Sequence, residues 1–212
     1  MSTVEPGGGN PAATRRKILI LGANGQIARV ATGLLLDGTD AELTLYLRKS
    51  RRLEELRGNP RVRIVEGDVK DETTLTDAMA GQDVVYANLS GRMGAQARVI
   101  VRTMERLGLE RLIFISSMGI YDEVPGQSFH AALRPYREAA DVIEASNLDY
   151  TILRPAWLND RDEIDYGTTR KGEPFANPEG VVSRKSVADL VVKLATTPEL
   201  GERQSLGVHK AE

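Results

Sequence analysis

The chain contains no cysteine. That excludes disulfides, thiolate metal centres, iron–sulfur clusters and a cysteine nucleophile, and it suits the reducing cytoplasm expected for this protein. Histidine is almost as scarce. His130 and His209 are the two present, so a multi-histidine metal site is not expected and no metal is assigned. Aromatic residues make up 5% of the chain, so any wall for a flat ligand must be built from few of them. No apolar run approaches the roughly 18 residues of a membrane span. Residues 1–16, MSTVEPGGGNPAATRR, lack the apolar centre of a signal peptide. Neither sign of charge is in excess: 28 Lys and Arg stand against 30 Asp and Glu, for a net charge of −2. A globally basic nucleic-acid binder is thereby excluded, and neither nucleic acid nor membrane is an expected partner.

What is present reads as an ordinary globule: 41% hydrophobic and 27% charged residues over 212 positions. A chain of this length buries roughly 70% of the surface its unfolded form exposes, so a single core suffices. Residues 1–16 read as a disordered tail, 17–200 as one domain and 201–212 as a C-terminal end, with 207–212 fraying. Apolar runs predict strands at 17–21, 43–47, 62–65, 83–87, 112–115 and 150–153, with a last short one at 206–208. Helical spacing predicts helices at 26–36, 53–57, 75–80, 96–107, 136–145 and 186–195. Strand and helix alternate, which predicts an α/β fold: a doubly wound parallel sheet with helices on both faces. A (β/α)₈ barrel usually needs about 250 residues. The alternation breaks after Trp157, and about 156–185, polar and rich in Gly, Pro and Asp, is the expected substrate region.

The first strand runs into Gly22-Ala23-Asn24-Gly25-Gln26-Ile27-Ala28, which opens a helix. In a βαβ unit the first glycine allows a tight turn, the second lets a pyrophosphate approach the backbone, and the small third residue lets helix and strand pack closely. The helix N-terminus offers its unpaired N–H groups to phosphate. The alternative is a plain βα turn. About 20 residues on, NAD-binding sites of this kind place an acid; here the second strand ends at Arg48, followed by Lys49, Arg51 and Arg52. A guanidinium grips a 2′-phosphate that a carboxylate would repel. The expected cofactor is therefore NADP, with NADPH preferred over NADH. The competing readings are a solvated basic patch and a nucleic-acid patch, though the stretch lacks interleaved aromatics for stacking bases.

ILILGANGQIA, EGDVKDETTL, RLIFISSMGIY and SNLDYTILRPAWL follow one another in order. Together they resemble the NmrA-like, NAD(P)-binding branch of the atypical short-chain dehydrogenase/reductase superfamily, over about residues 17–195. The resemblance implies a Rossmann sheet with a small C-terminal substrate region. It implies that Gly22, Asn24, Gly25, Gln26 and Ile27 form the pyrophosphate loop and that Arg48 binds the 2′-phosphate. Asp68 and Val69 would flank the adenine, unless Asp68 is a helix cap or turn residue. Ala87, Asn88 and Leu89 would line the ribose and nicotinamide side, and Pro155, Ala156 and Trp157 would close over the nicotinamide.

Carbonyl reductases of that superfamily use a Ser and a Tyr-x-x-x-Lys pair. Ser117 fits the Ser position. The pair is missing: Ala132 falls at the Tyr position and Tyr136 at the Lys position, while four residues beyond Tyr136 stands Ala140. Tyr166 and Arg170 have the spacing but lie in the polar region. Ser117 and Tyr136 remain the catalytic candidates, and Tyr121 and Trp157, with Tyr136 and Tyr166, are candidate walls for an acceptor. Hydride transfer to a quinone or flavin needs less from a positioned protein acid, so the expected activity is NADPH-dependent reduction of a small planar acceptor. The alternatives are a non-catalytic NADP(H) sensor that regulates a protein partner and an NADP-dependent isomerase or epimerase. The segment Asp160, Asp162, Glu163 and Asp165 reads as a solvated loop rather than a calcium loop, and His130 as a loop histidine or a proton donor. The sequence sets no oligomeric state.

Overall fold

The computed structural model describes residues 15–126 and 128–211. The tail expected at 1–16 thus falls, for 1–14, outside the described residues. The chain runs β1 (Lys17–Leu21), α1 (Gln26–Gly38), β2 (Glu42–Leu47), a 3₁₀ helix (Ser50–Leu56), β3 (Val62–Glu66), α2 (Glu72–Met79), β4 (Val84–Ala87), α3 (Met93–Leu107), β5 (Arg111–Ile115), a 3₁₀ turn (Ala131–Leu133), α4 (Arg134–Glu144) and β6 (Asp149–Pro155). After β6 come β7 (Trp157–Asn159), β8 (Gly167–Arg170), β9 (Val181–Ser183), α5 (Arg184–Thr196) and β10 (Gln204–His209).

The central strands are apolar without alternation because both faces are covered; Ile18 to Leu21 are fully buried. Helix boundaries follow local chemistry. Asp71 caps α2 by accepting from Thr74 N at 3.2 Å, and Gly108 ends α3 at φ +68, where a side chain would be strained. Ser183 caps α5, its Oγ accepting from Ser186 N at 2.9 Å; the helix thus starts two residues before the expected 186. α1 starts at Gly25 with no side-chain cap, which leaves its first amides open.

The sheet order is β3-β2-β1-β4-β5-β6-β10-β8. All neighbours pair in parallel except β8, which runs antiparallel to β10. One apolar core joins one face of the sheet to α1 and α5; the other joins the opposite face to α2, α3 and α4. This is the doubly wound α/β fold expected, in one domain.

The C-terminal segment corrects the sequence reading. β10 is no fraying end: it lies inside the sheet between β6 and β8, and Ser205 to His209 are buried. The short strand expected at 206–208 is its middle; the polar residues on either side hide its full length and its burial, and Gly207 is part of the reason. A Cβ there would stand 2.5 Å from the Phe175 ring, so the ring takes the place of a side chain. β7, β8 and β9 are additions to the sequence reading, each too short for a hydrophobic period. The region 167–170, read as polar loop, is the edge strand β8.

The acidic segment is an exposed loop, as expected, and its carboxylates form surface ion pairs: Asp160 with Arg184 at 2.8 Å, Asp162 with Lys185, and Glu163 and Asp165 with Lys210 at 3.0 and 2.5 Å. Among the described residues, no helix is long and apolar enough to cross a membrane.

Candidate functional site

Strand order reverses direction between β1 and β4, and in open α/β sheets the crevice outside the carboxyl ends of the strands at such a point takes ligands. A cleft of about 450 Å³ opens there. Gly22 leaves β1 at φ +75, and its N donates to Tyr46 O at 2.9 Å. A Cβ on Gly22 would fall 2.2 Å from Asn88 O, and one on Gly25 would fall 2.3 Å from Asn88 Nδ2. The two glycines therefore let the end of β4 close against the turn. Ala28 is fully buried, as the small third position requires. The Ile27 side chain belongs to the core, as its place in the helical apolar spacing implies, which leaves its backbone to face the turn. Gln26 is exposed at the start of α1. Ala87 is buried in β4; the cleft wall beyond it is Asn88, Leu89 and Ser90.

At the end of β2 the cleft is rimmed by Arg48, Lys49 and Arg52, all exposed. Their side chains make no hydrogen bond or ion pair among the described residues. Of the other cations of the same stretch, Arg57 pairs with Glu54 at 2.8 Å and Arg61 donates to Thr39 O at 2.7 Å and to Leu36 O, whereas Arg51 and Arg63 lie outside the cleft lining. The rim is held in shape by Glu66, whose Oε2 accepts from Ser50 N at 2.8 Å and from the Ser50 hydroxyl. Those hydrogen bonds hold the Glu66 carboxyl below its ordinary range.

The third wall follows β3. Tyr46 OH donates to Asp68 O at 2.9 Å, and Gly67 makes room for that phenol, which a Cβ would meet at 2.3 Å. Burial, with Asp71 and Asp68 nearby, pushes the Tyr46 phenol up to about 12. Asp68 spends Oδ1 on Lys70 N at 3.0 Å, a turn contact, and Oδ2 has no protein partner among the described residues. It is a turn residue through Oδ1 and also lines the cleft, while Asp71 is the helix cap. Val69 is buried beside it. Tyr46, Gly67 and Gln96 were not singled out by sequence. Gln96 opens the helix predicted at 96–107 and reads there as a boundary; in space it lines the cleft, and its Oε1 is shut off from solvent without a partner among the described residues.

The acceptor-side candidates lie past β5 and β6 on the same edge of the sheet. Ser117 is partly exposed, its Oγ donating to Met118 O at 3.2 Å, and Met118 N donates to Pro155 O at 3.1 Å. Pro155 is buried at the end of β6 and Trp157 is 63% exposed. Tyr136 packs, partly buried, against the core under α4, and its phenol has no hydrogen bond among the described residues. His130 is exposed, and its Nδ1 accepts from Ala132 N at 3.2 Å, capping a short turn.

Tyr121 is a correction. Its OH donates to Glu144 at 2.8 Å and its ring is flanked by Lys171, Arg137 and Arg154. It lines a separate crevice with Arg137 and Lys171, and burial raises its phenol. Tyr166 is likewise occupied, donating to Asp189 at 2.8 Å and accepting from Lys193. Both phenol hydroxyls are thus engaged within the protein.

Sequence reading also missed the pair beneath this loop. Arg154 is fully buried and ion-paired to Glu123, itself 4% exposed. The carboxylate accepts from Gly119 N at 3.0 Å and Tyr121 N at 2.8 Å. The guanidinium donates to Ser205 Oγ at 3.1 Å and Thr169 O at 3.3 Å. The pair thus ties the loop after Ser117 to β6, β8 and β10.

A family model of NAD(P)H-binding proteins matches residues 22–198, and the chain belongs to that family. It is 42% identical to a Rossmann-fold NAD(P)-binding family protein from Shigella flexneri, over 92% of this chain and 93% of that one, with a TM-score of 0.81. It is 31% identical to a short-chain dehydrogenase/reductase from Veillonella parvula, solved in complex with NADP, over 92% and 94% of the two chains, with a TM-score of 0.83. A Bacillus subtilis protein named an uncharacterized sugar epimerase, YhfK, is 27% identical over 191 residues, 83% of this chain and 86% of its own.

Proposed function

We propose that the cleft takes NADPH and that the protein is an NADPH-dependent oxidoreductase acting on a small planar acceptor of the quinone or flavin type. The observation that carries this reading is the unpaired cation rim, Arg48, Lys49 and Arg52, standing where an NAD site would carry an acid. The chain's residues fit such a dinucleotide in three further respects. The glycine cradle has no room for a Cβ, the α1 amides are uncapped, and Gln96 Oε1 is buried without a partner.

In this reading the Gly22–Gly25 turn and the α1 N-terminus hold the pyrophosphate. Arg48 grips the 2′-phosphate with Lys49 and Arg52 beside it. Asp68 Oδ2 accepts from the adenine amine against Val69, Asn88 and Leu89 line the middle, and Pro155 bounds the nicotinamide end. When bound, the dinucleotide supplies the hydride and so both electrons. Ser117 orients the acceptor oxygen, Tyr136 is the second catalytic candidate, and solvent supplies the remaining proton. Without a Tyr-x-x-x-Lys pair, an electron-poor acceptor fits better than a simple ketone.

The test is NADPH consumption, followed optically against quinones, flavins and aldehydes, with NADH in parallel. Rapid turnover of quinones or flavins with NADPH supports the proposal. Silence across the panel, with NADPH binding registered by its own fluorescence, overturns the enzymatic half in favour of a sensor.

A further inference from the structure

β7 and β9 form a separate two-stranded parallel sheet, with Trp157 opposite Val181 and Leu158 opposite Val182. Side chains alternate between the faces of such a ribbon. Val182 is fully buried, and Leu158 packs against the core beneath α1 and α5. Trp157 and Val181 therefore share the outer face, and they are 63% and 42% exposed. The outer face of a two-stranded ribbon is where polar side chains belong, yet its first pair is an indole beside a branched aliphatic. This happens in a chain whose sole tryptophan is this one.

The platform is tied to the fold on both sides. Ala156 alone separates Trp157 from β6, and Ala156 N donates to Val208 O at 2.9 Å. The segment after β7 is held to the start of α5 by Asp165 N donating to Ser186 Oγ at 2.9 Å and by the Ser183 hydroxyl donating to Glu163 O at 2.6 Å. Its position is at the carboxyl edge of the sheet, past β6. The adenosine-side residues lie past β1 to β4 on that same edge, and Ser117 lies past β5, between the two.

We propose that the Trp157–Val181 face is the acceptor platform: a planar, electron-poor ring lies on the indole with the Val181 side chain flanking it. Offset stacking on an indole suits a flat conjugated ring far better than a sugar or an aliphatic carbonyl. This inference rests on the cofactor reading above and names where its acceptor lies.

Because Trp157 is the sole tryptophan, it reports its own occupant. Menadione and riboflavin are titrated separately into the protein saturated with NADP⁺, in which no turnover occurs, while Trp157 emission is followed. Saturable quenching is expected, with the midpoint raised about tenfold in Val181→Lys, the loss of one flanking apolar contact. Val181 is exposed, so that variant keeps the fold, checked by an unchanged circular dichroism spectrum and thermal midpoint. Purely linear, collisional quenching overturns the proposal, as does an unshifted midpoint in Val181→Lys. A blue shift of Trp157 emission on concentrating the protein alone also overturns it, since the occupant would then be a second copy of the chain. Failure of the cofactor reading is separable: NADPH would then show no fluorescence change on mixing with the protein, whatever Trp157 does.

Discussion

Glu123→Ala is the substitution whose consequence the structure fixes most tightly. It removes the carboxylate that neutralises Arg154, a guanidinium with no exposed surface, and deprives Gly119 N and Tyr121 N of their acceptor. Breaking one side of a buried ion pair costs about 3–5 kcal/mol, because the remaining charge stays buried and unpaired. Against a typical domain stability of about 5–15 kcal/mol that is a large fraction. For a domain of this size it lowers the thermal midpoint by about 6–20 °C. Glu123→Gln keeps an oxygen for one amide but not the charge, so it loses most of the same stability. Arg154→Met combined with Glu123→Ala leaves no unpaired charge. Ser205 O still accepts from Lys171 N at 3.0 Å, so the double variant recovers part of the loss. The assay is urea unfolding followed by far-ultraviolet circular dichroism; Trp157, already exposed, is a poor reporter of unfolding. A loss below about 1 kcal/mol for Glu123→Ala, in the range of exposed pairs, would refute the reasoning. So would a double variant as unstable as the sum of its parents, since paired charges are expected to couple.

Arg48→Glu should weaken NADP binding on the order of a hundredfold, the loss of charge-assisted hydrogen bonds plus repulsion, while NAD affinity moves little; calorimetric titration of both cofactors decides, and equal losses would sink the 2′-phosphate assignment. Gly22→Ala should destabilise by at least about 1–2 kcal/mol, since an alanine at φ +75 is strained and its Cβ meets the Asn88 carbonyl. Gly25→Ala should cost less stability than Gly22→Ala, because its closest clash is with the movable Asn88 amide and the Gly22 carbonyl at 3.2 Å need give only a few tenths of an ångström, yet it should lose dinucleotide affinity; thermal melts with and without NADP separate the two. The Tyr46 phenol, raised to about 12 chiefly by burial, favours the fold while neutral: its contribution is complete below pH 10 and is lost as pH rises through 12. Urea midpoints measured from pH 9 to 12 should therefore fall less steeply in Tyr46→Phe than in the parent.

The sequence was most legible where a function is written in contiguous residues. The buried run of β1, the Gly22–Gly25 spacing and Arg48 at the end of β2 each depend on neighbours a few positions away, and each stands at the cleft as its local pattern implies. Legibility fails where the deciding contact is distant. Tyr121 lies four residues from Ser117 and reads as part of the same site, but Asp122, at φ +59, turns the chain and Glu144 captures the phenol from 23 positions away. Ile27 reads both as an apolar position of the first helix and as a pyrophosphate-loop residue, and its side chain goes to the core. β10 shows in the sequence as a short run at 206–208, but its full length, with Gln, Ser, Gly and His, is a buried strand because β6 and β8 flank it. Gln96 shows no signal at all without α3 in place.

That difference follows from how the two halves of the candidate site are assembled. The cofactor half is made of strand ends and the turns that leave them, so its geometry is inherited from the sheet and needs few long-range contacts. The acceptor half is made of the loop after β5, the end of β6 and the β7–β9 ribbon, none of which holds its own shape. Glu123 and Arg154 supply that shape from beneath, together with Met118 N on Pro155 O and Ala156 N on Val208 O. A buried ion pair gives little net stability over an apolar substitute; what this one gives is a fixed relation among loop, β6, β8 and β10. Substitutions confined to the outer face of the ribbon can then change what the acceptor half takes while the cofactor half is undisturbed. Substitutions at Glu123 or Arg154 change the frame that holds Ser117 and Trp157 in register.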